Sequence, residues 1–288
     1  MFFLKLIGYI PLFVLYKVAT IAKWLLYFVF SYRKKVILKN IKNSFPELNT
    51  KQVNTLTLEF YGYLTDQMVE FFKGSTISKK EMLERVNLVN EQIITNYLDQ
   101  GIPVVLVAGH LGIWEWAVHR LALSENLYDI VYQKLSSPLF NEFTLWVRSR
   151  FGSNVLMERR ESVILARDRK DIPRAICLAA DQSPPKPESA YWTNFLNQPT
   201  GFFTGMERFA REYQYPVIFV ELIREKRVYY TMSFEELIRP SYENVEKGTI
   251  IELFARRLEK SVIKYPDQYL WSHKRWKHEK PAHILMKW

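Results

Sequence analysis

From Pro103 to Ala108 the chain reads Pro-Val-Val-Leu-Val-Ala, with no polar side chain until the run stops at Gly109-His110. A short Val-rich stretch with no polar alternation is a strand covered on both faces, which requires helices above and below a sheet. The flanking pattern agrees. Asn49 or Thr50 caps a helix reaching about Phe72 and closed by Gly74, with Val53, Leu56, Phe60, Leu64, Val69 and Phe72 on one face. Further helices are expected over 91–98, 112–123, 139–150, 162–168 and 249–264. Strands are expected over 128–133, 154–157 and 174–180, with a hairpin formed by 216–224 and 227–235. This alternation predicts an α/β fold: a mixed, largely parallel sheet flanked by helices.

What precedes the sheet is of another kind. Residues 2–30 are almost wholly apolar or aromatic, interrupted by Lys5, Lys17 and Lys23, with Pro11 early. The longest run without charge, Leu6–Tyr16, is shorter than the roughly 20 residues a spanning helix needs. Lysines inside the apolar region and the lack of a small-residue cleavage site also argue against a secretory signal. The segment is expected to be a membrane helix, either spanning with snorkelling lysines or lying in the interface with Trp24, Tyr27 and Tyr32 at headgroup depth. A buried hydrophobic hairpin is the other reading. Arg33-Lys34-Lys35 behind it favours a cytoplasmic location for the rest.

Charge reinforces this reading. Of a net +10, residues 1–42 carry +8 and residues 271–288 carry +4, so the long middle is slightly acidic. Basic ends mixed with aromatics suit anionic lipid headgroups, whereas a nucleic-acid protein would spread positive charge over a broad face. One cysteine, Cys177, excludes an intrachain disulfide. Its apolar setting suits an inert core thiol. No Gly-rich phosphate loop, Gly-x-Ser-x-Gly elbow, His-Glu-x-x-His pair or Cys/His zinc cluster is present.

Reactive side chains gather where strands end. His110 follows the buried strand and Glu115 follows it by five positions, so a bend at Gly109–Gly112 could bring carboxylate to imidazole. Spacing alone leaves a capping or core histidine open. Asp181, with Gln182 beside it, ends the strand over 174–180, suggesting that the same sheet edge is used twice, although capping the next turn is an equal role. Arg148, Arg150 and Arg159 stand at element ends where guanidinium groups could clamp phosphate, or simply be solvated.

In order along the chain, these features resemble the lipid A biosynthesis (late) acyltransferases of the lysophospholipid acyltransferase superfamily. The likeness rests first on the hydrophobic start followed by Arg33-Lys34-Lys35 through Asn40 and Phe45-Pro46. His110 to Glu115 is similar to the family's His-x-x-x-x-acid motif, and Tyr132 with Arg148-Ser149-Arg150-Phe151-Gly152 to its Tyr-Arg…Arg-x-Arg-x-Gly region. Asp181-Gln182, Thr200-Gly201, Ala210-Arg211 and Pro266-Asp267-Gln268-Tyr269-Leu270-Trp271-Ser272-His273 complete it. Gln133 stands where Arg is usual, and Ser183-Pro184-Pro185-Lys186-Pro187 replaces the second acid and Gly of Asp-Gln-Asp-x-Gly. That second departure bears on acceptor or acyl-chain choice.

The resemblance implies a membrane-anchoring helix over 1–32 and an acyltransferase domain over 33–288, the latter a helical lead-in to 100 and an α/β catalytic core from 101. It implies transfer of a fatty acyl chain from an acyl carrier protein thioester to a hydroxyl of a lipid A precursor. In that scheme His110 is general base, Glu115 supports it, and backbone N–H groups near Leu111–Gly112 are oxyanion donors. Arg148, Arg150, Arg159, Asp181 and Gln182 would bind substrate. No metal or cofactor is implied, since the carrier-protein thioester is itself a substrate. The partners are acyl carrier protein, a membrane glycolipid and the membrane, with no nucleic acid, at the bacterial inner membrane with the site facing the cytoplasm. An alternative acceptor is an amino-acid lipid or a mannosylated phospholipid.

Overall fold

A computed structural model describes residues 2–282. Met1 and residues 283–288, the end of the basic C-terminal stretch and of the expected 33–288 domain, lie outside the described residues. In chain order the elements are α1 (Phe2–Tyr9), α2 (Leu12–Trp24, continued by a π-helical turn to Val29), α3 (Lys34–Ser44), α4 (Thr50–Lys73) and α5 (Lys79–Arg85). Then come β1 (Val86–Val89), α6 (Gln92–Leu98), β2 (Val104–Ala108), α7 (Trp114–Leu121), β3 (Tyr128–Tyr132), α8 (Pro138–Arg148), β4 (Val155–Glu158), α9 (Ser162–Asp168) and β5 (Ala175–Ala179). The chain closes with β6 (Tyr191–Phe195), β7 (Gln198–Phe202), α10 (Gly205–Tyr213), β8 (Val217–Lys226), β9 (Tyr229–Ile238) and α11 (Thr249–Lys264).

Seven strands form one sheet in the order β1-β9-β8-β2-β5-β3-β4. All pairs are parallel except the β8–β9 hairpin, as the sequence pattern predicts. Strand β2 is central, and its alternate side chains enter two cores. Val105 and Val107 pack with α3, α4, α10 and α11, through residues such as Ile41, Phe60, Ala210 and Phe254. Val104 and Leu106 pack with α5, α6 and α7, through Met82, Ile94 and Trp116. Cover on both faces is why this strand shows no polar alternation.

Local signals explain most boundaries. A reciprocal capping box between Asn49 and Gln52 starts α4, and a second one between Ser78 and Glu81 starts α5. The helix after β2 begins at Trp114, two residues later than the sequence suggests, because Gly112 has φ +69. A side chain at Gly112 would also put its Cβ 2.3 Å from the Leu222 carbonyl oxygen, so only glycine fits that turn. The sequence reading passes over α3, α5, β1, the separate β6–β7 hairpin and α10.

The N-terminal segment is two helices where one was expected. Pro11 cannot donate to a continuing helix, so the chain breaks at Ile10–Pro11. Helix α2 lies along α4 with Leu15 and Ala19 buried, while Phe13, Ile21, Trp24 and Phe28 stay exposed. Polar contacts fasten both helices: Tyr16 OH of α2 donates to Glu70 at 2.5 Å, and the Thr76 hydroxyl and Lys73 Nζ donate to the Gly8 carbonyl of α1 at 2.5 and 3.1 Å. Leu12–Val29 is apolar and long enough to count as a membrane-span candidate by length and composition.

Candidate active site

Parallel register builds the centre. Ala108 of β2 pairs with Ala179 of β5, so residues two positions beyond each strand face one another at the carboxyl edge of the sheet. Those residues are His110 and Asp181. Asp181 Oδ2 accepts the His110 backbone N–H at 2.9 Å, and Oδ1 lies 2.5 Å from His110 Nδ1. An ionised carboxylate only accepts, so Nδ1 carries the proton and Nε2 is left with its lone pair. The Gln182 amide donates to that Nε2 at 3.1 Å. Trp114 stands edge-on to the imidazole, ring centres 5.0 Å apart.

The electrostatics follow from this contact. Burial pushes the His110 imidazole down, but attraction and hydrogen bonding from Asp181 outweigh it and leave its pKa above the ordinary value. Burial pushes Asp181 up, and the His110 imidazole, with hydrogen bonds from its Nδ1 and from the His110 backbone N–H, outweighs that, leaving the carboxyl below its ordinary value. Asp181 is 2% exposed. By contrast Ala179 is exposed and Ala108 half-buried, so the sheet edge beside the pair is open. An oriented base at such an edge can take a proton from an approaching hydroxyl.

Glu115 does not make the contact expected from its spacing. Both of its oxygens accept from Arg148, Oε2 from Nε and Oε1 from Nη2, each at 2.8 Å. The late start of α7 sets Glu115 in its first turn, facing the end of α8, and Asp181 takes the place beside the imidazole. The Glu115–Arg148 pair is still close enough for both charges to act on His110. Nη1 of Arg148 makes no hydrogen bond among the described residues. Arg150 is committed elsewhere, donating to the Gly74 and Ile77 carbonyls at 2.5 and 3.1 Å, and it ties α8 to the end of α4. Arg159 is exposed just beyond β4, its backbone N–H on the Tyr132 carbonyl. The three arginines thus do not form one cluster. As for the expected oxyanion donors, Leu111 bridges to Tyr269, and the Gly112 carbonyl is held by the Gln67 amide.

Distant motifs converge behind this centre. Asn40 Nδ2 donates to the Trp271 and His273 carbonyls, both at 2.9 Å, and Arg33 Nη1 donates to the Ser272 carbonyl at 2.9 Å. His273 Nε2 in turn accepts from the Ser183 backbone N–H at 3.2 Å, and burial lowers the His273 pKa to about 4. The basic lead-in, the Asp181 loop and the C-terminal strap are therefore one structure. The model of the bacterial lipid A biosynthesis acyltransferases matches residues 1–278. The chain belongs to that family. A search of curated proteins found no match.

As a member of the lipid A biosynthesis acyltransferase family, the protein is a membrane-associated acyltransferase. For such an enzyme the centre described above is the candidate site of transfer. A cleft of about 490 Å³ lined by Tyr97, Gly101, Tyr213 and Arg239 lies at the amino ends of β2 and β8, across the sheet from His110, and carries no comparable dyad. Gln67 and the His110–Asp181 partnership escaped the sequence reading. Only the equal two-residue overhang past two strands hinted at the latter.

Proposed function

We propose that this protein transfers a fatty acyl chain from an acyl carrier protein thioester to a hydroxyl of a lipid A precursor, on the cytoplasmic side of the bacterial inner membrane. The observation that carries the chemistry is the partly buried His110–Asp181 contact at the open carboxyl edge of two central parallel strands. His110 Nε2 takes the proton of the acceptor hydroxyl as its oxygen attacks the thioester carbonyl. The tetrahedral intermediate then collapses, the C–S bond breaks, and the imidazolium returns the proton to the leaving thiolate. Asp181 holds the imidazole in the tautomer that bares Nε2 and stabilises the imidazolium formed midway. A base so placed contributes roughly 10²–10⁴ in rate.

Glu115 enters this scheme through Arg148. The doubly bonded pair fixes the guanidinium beside the imidazole, with Nη1 free to meet the negative charge that develops on the thioester oxygen or a substrate phosphate. Arg159 and Gln182 remain candidates for substrate contact, Gln182 because its amide occupies Nε2 until the hydroxyl replaces it. The lack of a covalent intermediate follows from the acceptor hydroxyl being the nucleophile.

The anchor is best read as interfacial. Charged Asp66, Arg224 and Arg227 gather against the middle of α2, with Arg227 Nη2 on Thr20 at 3.4 Å. Were α2 to span, that cluster would sit near the bilayer centre, where such groups are expensive. Lying flat, α2 sets its exposed apolar face into the headgroup boundary and keeps the cluster outside.

Incubation with labelled acyl carrier protein thioester and a lipid A precursor, reading product mass, tests the reaction. The acceptor should gain one acyl unit, and His110→Ala should lose more than nine-tenths of turnover while folded. No acyl gain by the acceptor, or a His110→Ala enzyme that keeps its rate, sinks the proposal.

A further inference from the structure

Arg275 sits on the C-terminal strap, 3% exposed, with its guanidinium 4.6 Å from the Phe202 ring. Its Nε and Nη2, both buried, have no hydrogen-bond partner. These two nitrogens form the edge of the guanidinium that grips an oxyanion side-on. Elsewhere in the protein that same edge is closed by a carboxylate: Glu115 on Arg148 at 2.8 Å and Asp129 on Arg169 at 3.1 Å. For Arg275 no carboxylate does so: the nearby Asp181 directs its hydrogen bonds to His110, and the neighbouring Tyr269 hydroxyl leaves Nε and Nη2 open. A buried cation with two open donors is unfavourable unless a partner arrives.

The guanidinium lines a crevice with Ser183, Thr200, Trp276 and His278. His278 Nε2, also buried, lacks a partner as well. Free space there is about 10 Å³, enough for one oxygen-sized group. Ser183 is one residue beyond Gln182, whose amide touches His110 Nε2, so the crevice opens next to the reacting centre. It also sits where Ser183-Pro184-Pro185 replaces the acid-and-glycine pattern noted in the sequence. An acid there would face Arg275 with like chemistry to the missing ligand.

We propose that this crevice is an oxyanion subsite in which one oxygen of a substrate phosphate accepts from both Nε and Nη2 of Arg275, the phosphorus remaining at the mouth. The inference rests on the acyl-transfer reading. That reading offers two sources of the group, the phosphodiester of the donor's phosphopantetheine arm and a phosphomonoester on the glycolipid acceptor.

The test compares wild type, Arg275→Gln and Arg275→Lys in detergent, with each substrate supplied with and without its phosphate. The donor pair is acyl phosphopantetheine and acyl N-acetylcysteamine, and the acceptor pair is the precursor before and after phosphatase treatment. Arg275→Gln should raise KM tenfold or more for whichever substrate uses the site, with Arg275→Lys recovering part of the loss and the phosphate-free form showing no penalty. Equal losses with and without phosphate on both substrates would mean that the crevice holds only water and the proposal fails. Should Arg275→Gln not fold, inorganic phosphate on wild type decides. It must compete with the phosphate-bearing substrate alone, and absence of competition overturns the site. If wild type transfers no acyl group at all, the reaction is wrong but the subsite is still read by heat unfolding. Inorganic phosphate must then raise the wild-type midpoint above chloride at equal ionic strength, and raise that of Arg275→Lys by clearly less; an equal rise in both overturns the site.

Discussion

His110 and Asp181 occupy the same register position on neighbouring parallel strands, each two residues past the paired Ala108 and Ala179, and their side chains meet at 2.5 Å. The sheet, through its hydrogen-bond ladder, sets the distance between them, and no flexible loop has to find it. Rigid strands placing two groups in contact is the arrangement that keeps a catalytic geometry tight.

Replacing Asp181 by Asn keeps an acceptor near Nδ1 but removes the charge. Burial then dominates and pulls the imidazole pKa down. In wild type the acid limb of kcat/KM should lie above the ordinary imidazole value of about 6.5; in Asp181→Asn it should move below it, with kcat falling roughly 10²–10³-fold. Stability has its own signature. His110, raised in the folded state, contributes most below about pH 6.5 and loses that contribution as pH rises through its raised value. Asp181, lowered in the folded state, contributes above about pH 3.9 and loses it as pH falls through its lowered value. A pH–rate profile identical in both proteins would remove Asp181 from the mechanism.

The Glu115–Arg148 pair separates stability from chemistry. Glu115→Ala leaves a mostly buried guanidinium without its carboxylate, at a cost of about 3–5 kcal/mol. Adding Arg148→Met removes the stranded charge, so the double variant should be more stable than Glu115→Ala in urea unfolding while staying catalytically poor. A double variant no more stable than the single one would mean that the pair is not the unit described here.

How much of this could be read beforehand varied with the range of the interaction. Strand β2 and helices α4, α9 and α11 were legible because their signals are local: a Val-rich run, the Asn49 cap, a repeating apolar face. The residues of the candidate site stand out in the sequence by their place at strand ends, while their partnerships do not. A spacing of five between His110 and Glu115 invited a local pair, but the true neighbours lie 71 positions apart and depend on which strand sits beside β2. Nothing in the chain order says that β5, the fourth strand of the run from β2, returns to β2's side. Arg150 was misjudged for a related reason, since its ligands are backbone carbonyls at the end of α4, which carry no residue signature.

Glu70 ties the N-terminal helix to the sheet through tyrosine hydroxyls from both, Tyr16 of α2 and Tyr230 of β9. Burial lifts its carboxyl to about 7, against the pull of those two donors. A carboxyl raised in the folded state stabilises the fold below its unfolded value of about 4.3 and loses that contribution as pH rises through about 7. Glu70→Gln cannot titrate. The stability gap between wild type and Glu70→Gln should therefore shrink as thermal unfolding is followed from pH 6 to pH 8.5. A gap of constant size would show that Glu70 keeps one protonation state across that range.

Phe13, Ile21, Trp24 and Phe28 are exposed on α2, between 46% and 66% of their full surface, so changing all four to Ser removes little packing from the protein itself. Each apolar side chain of this size contributes roughly 1.5–3 kcal/mol when taken out of water. An interfacial helix would lose most of its lipid affinity with these four gone. Vesicle flotation should find the quadruple variant in the soluble fraction, and its midpoint of heat unfolding in detergent should stay close to wild type. Leu15→Ser and Ala19→Ser, which face α4, should do the reverse, loosening the fold first. The two helix faces thus have separable duties, one to the protein and one to the bilayer. Continued flotation of the quadruple variant at undiminished yield would remove α2's exposed face as the anchor.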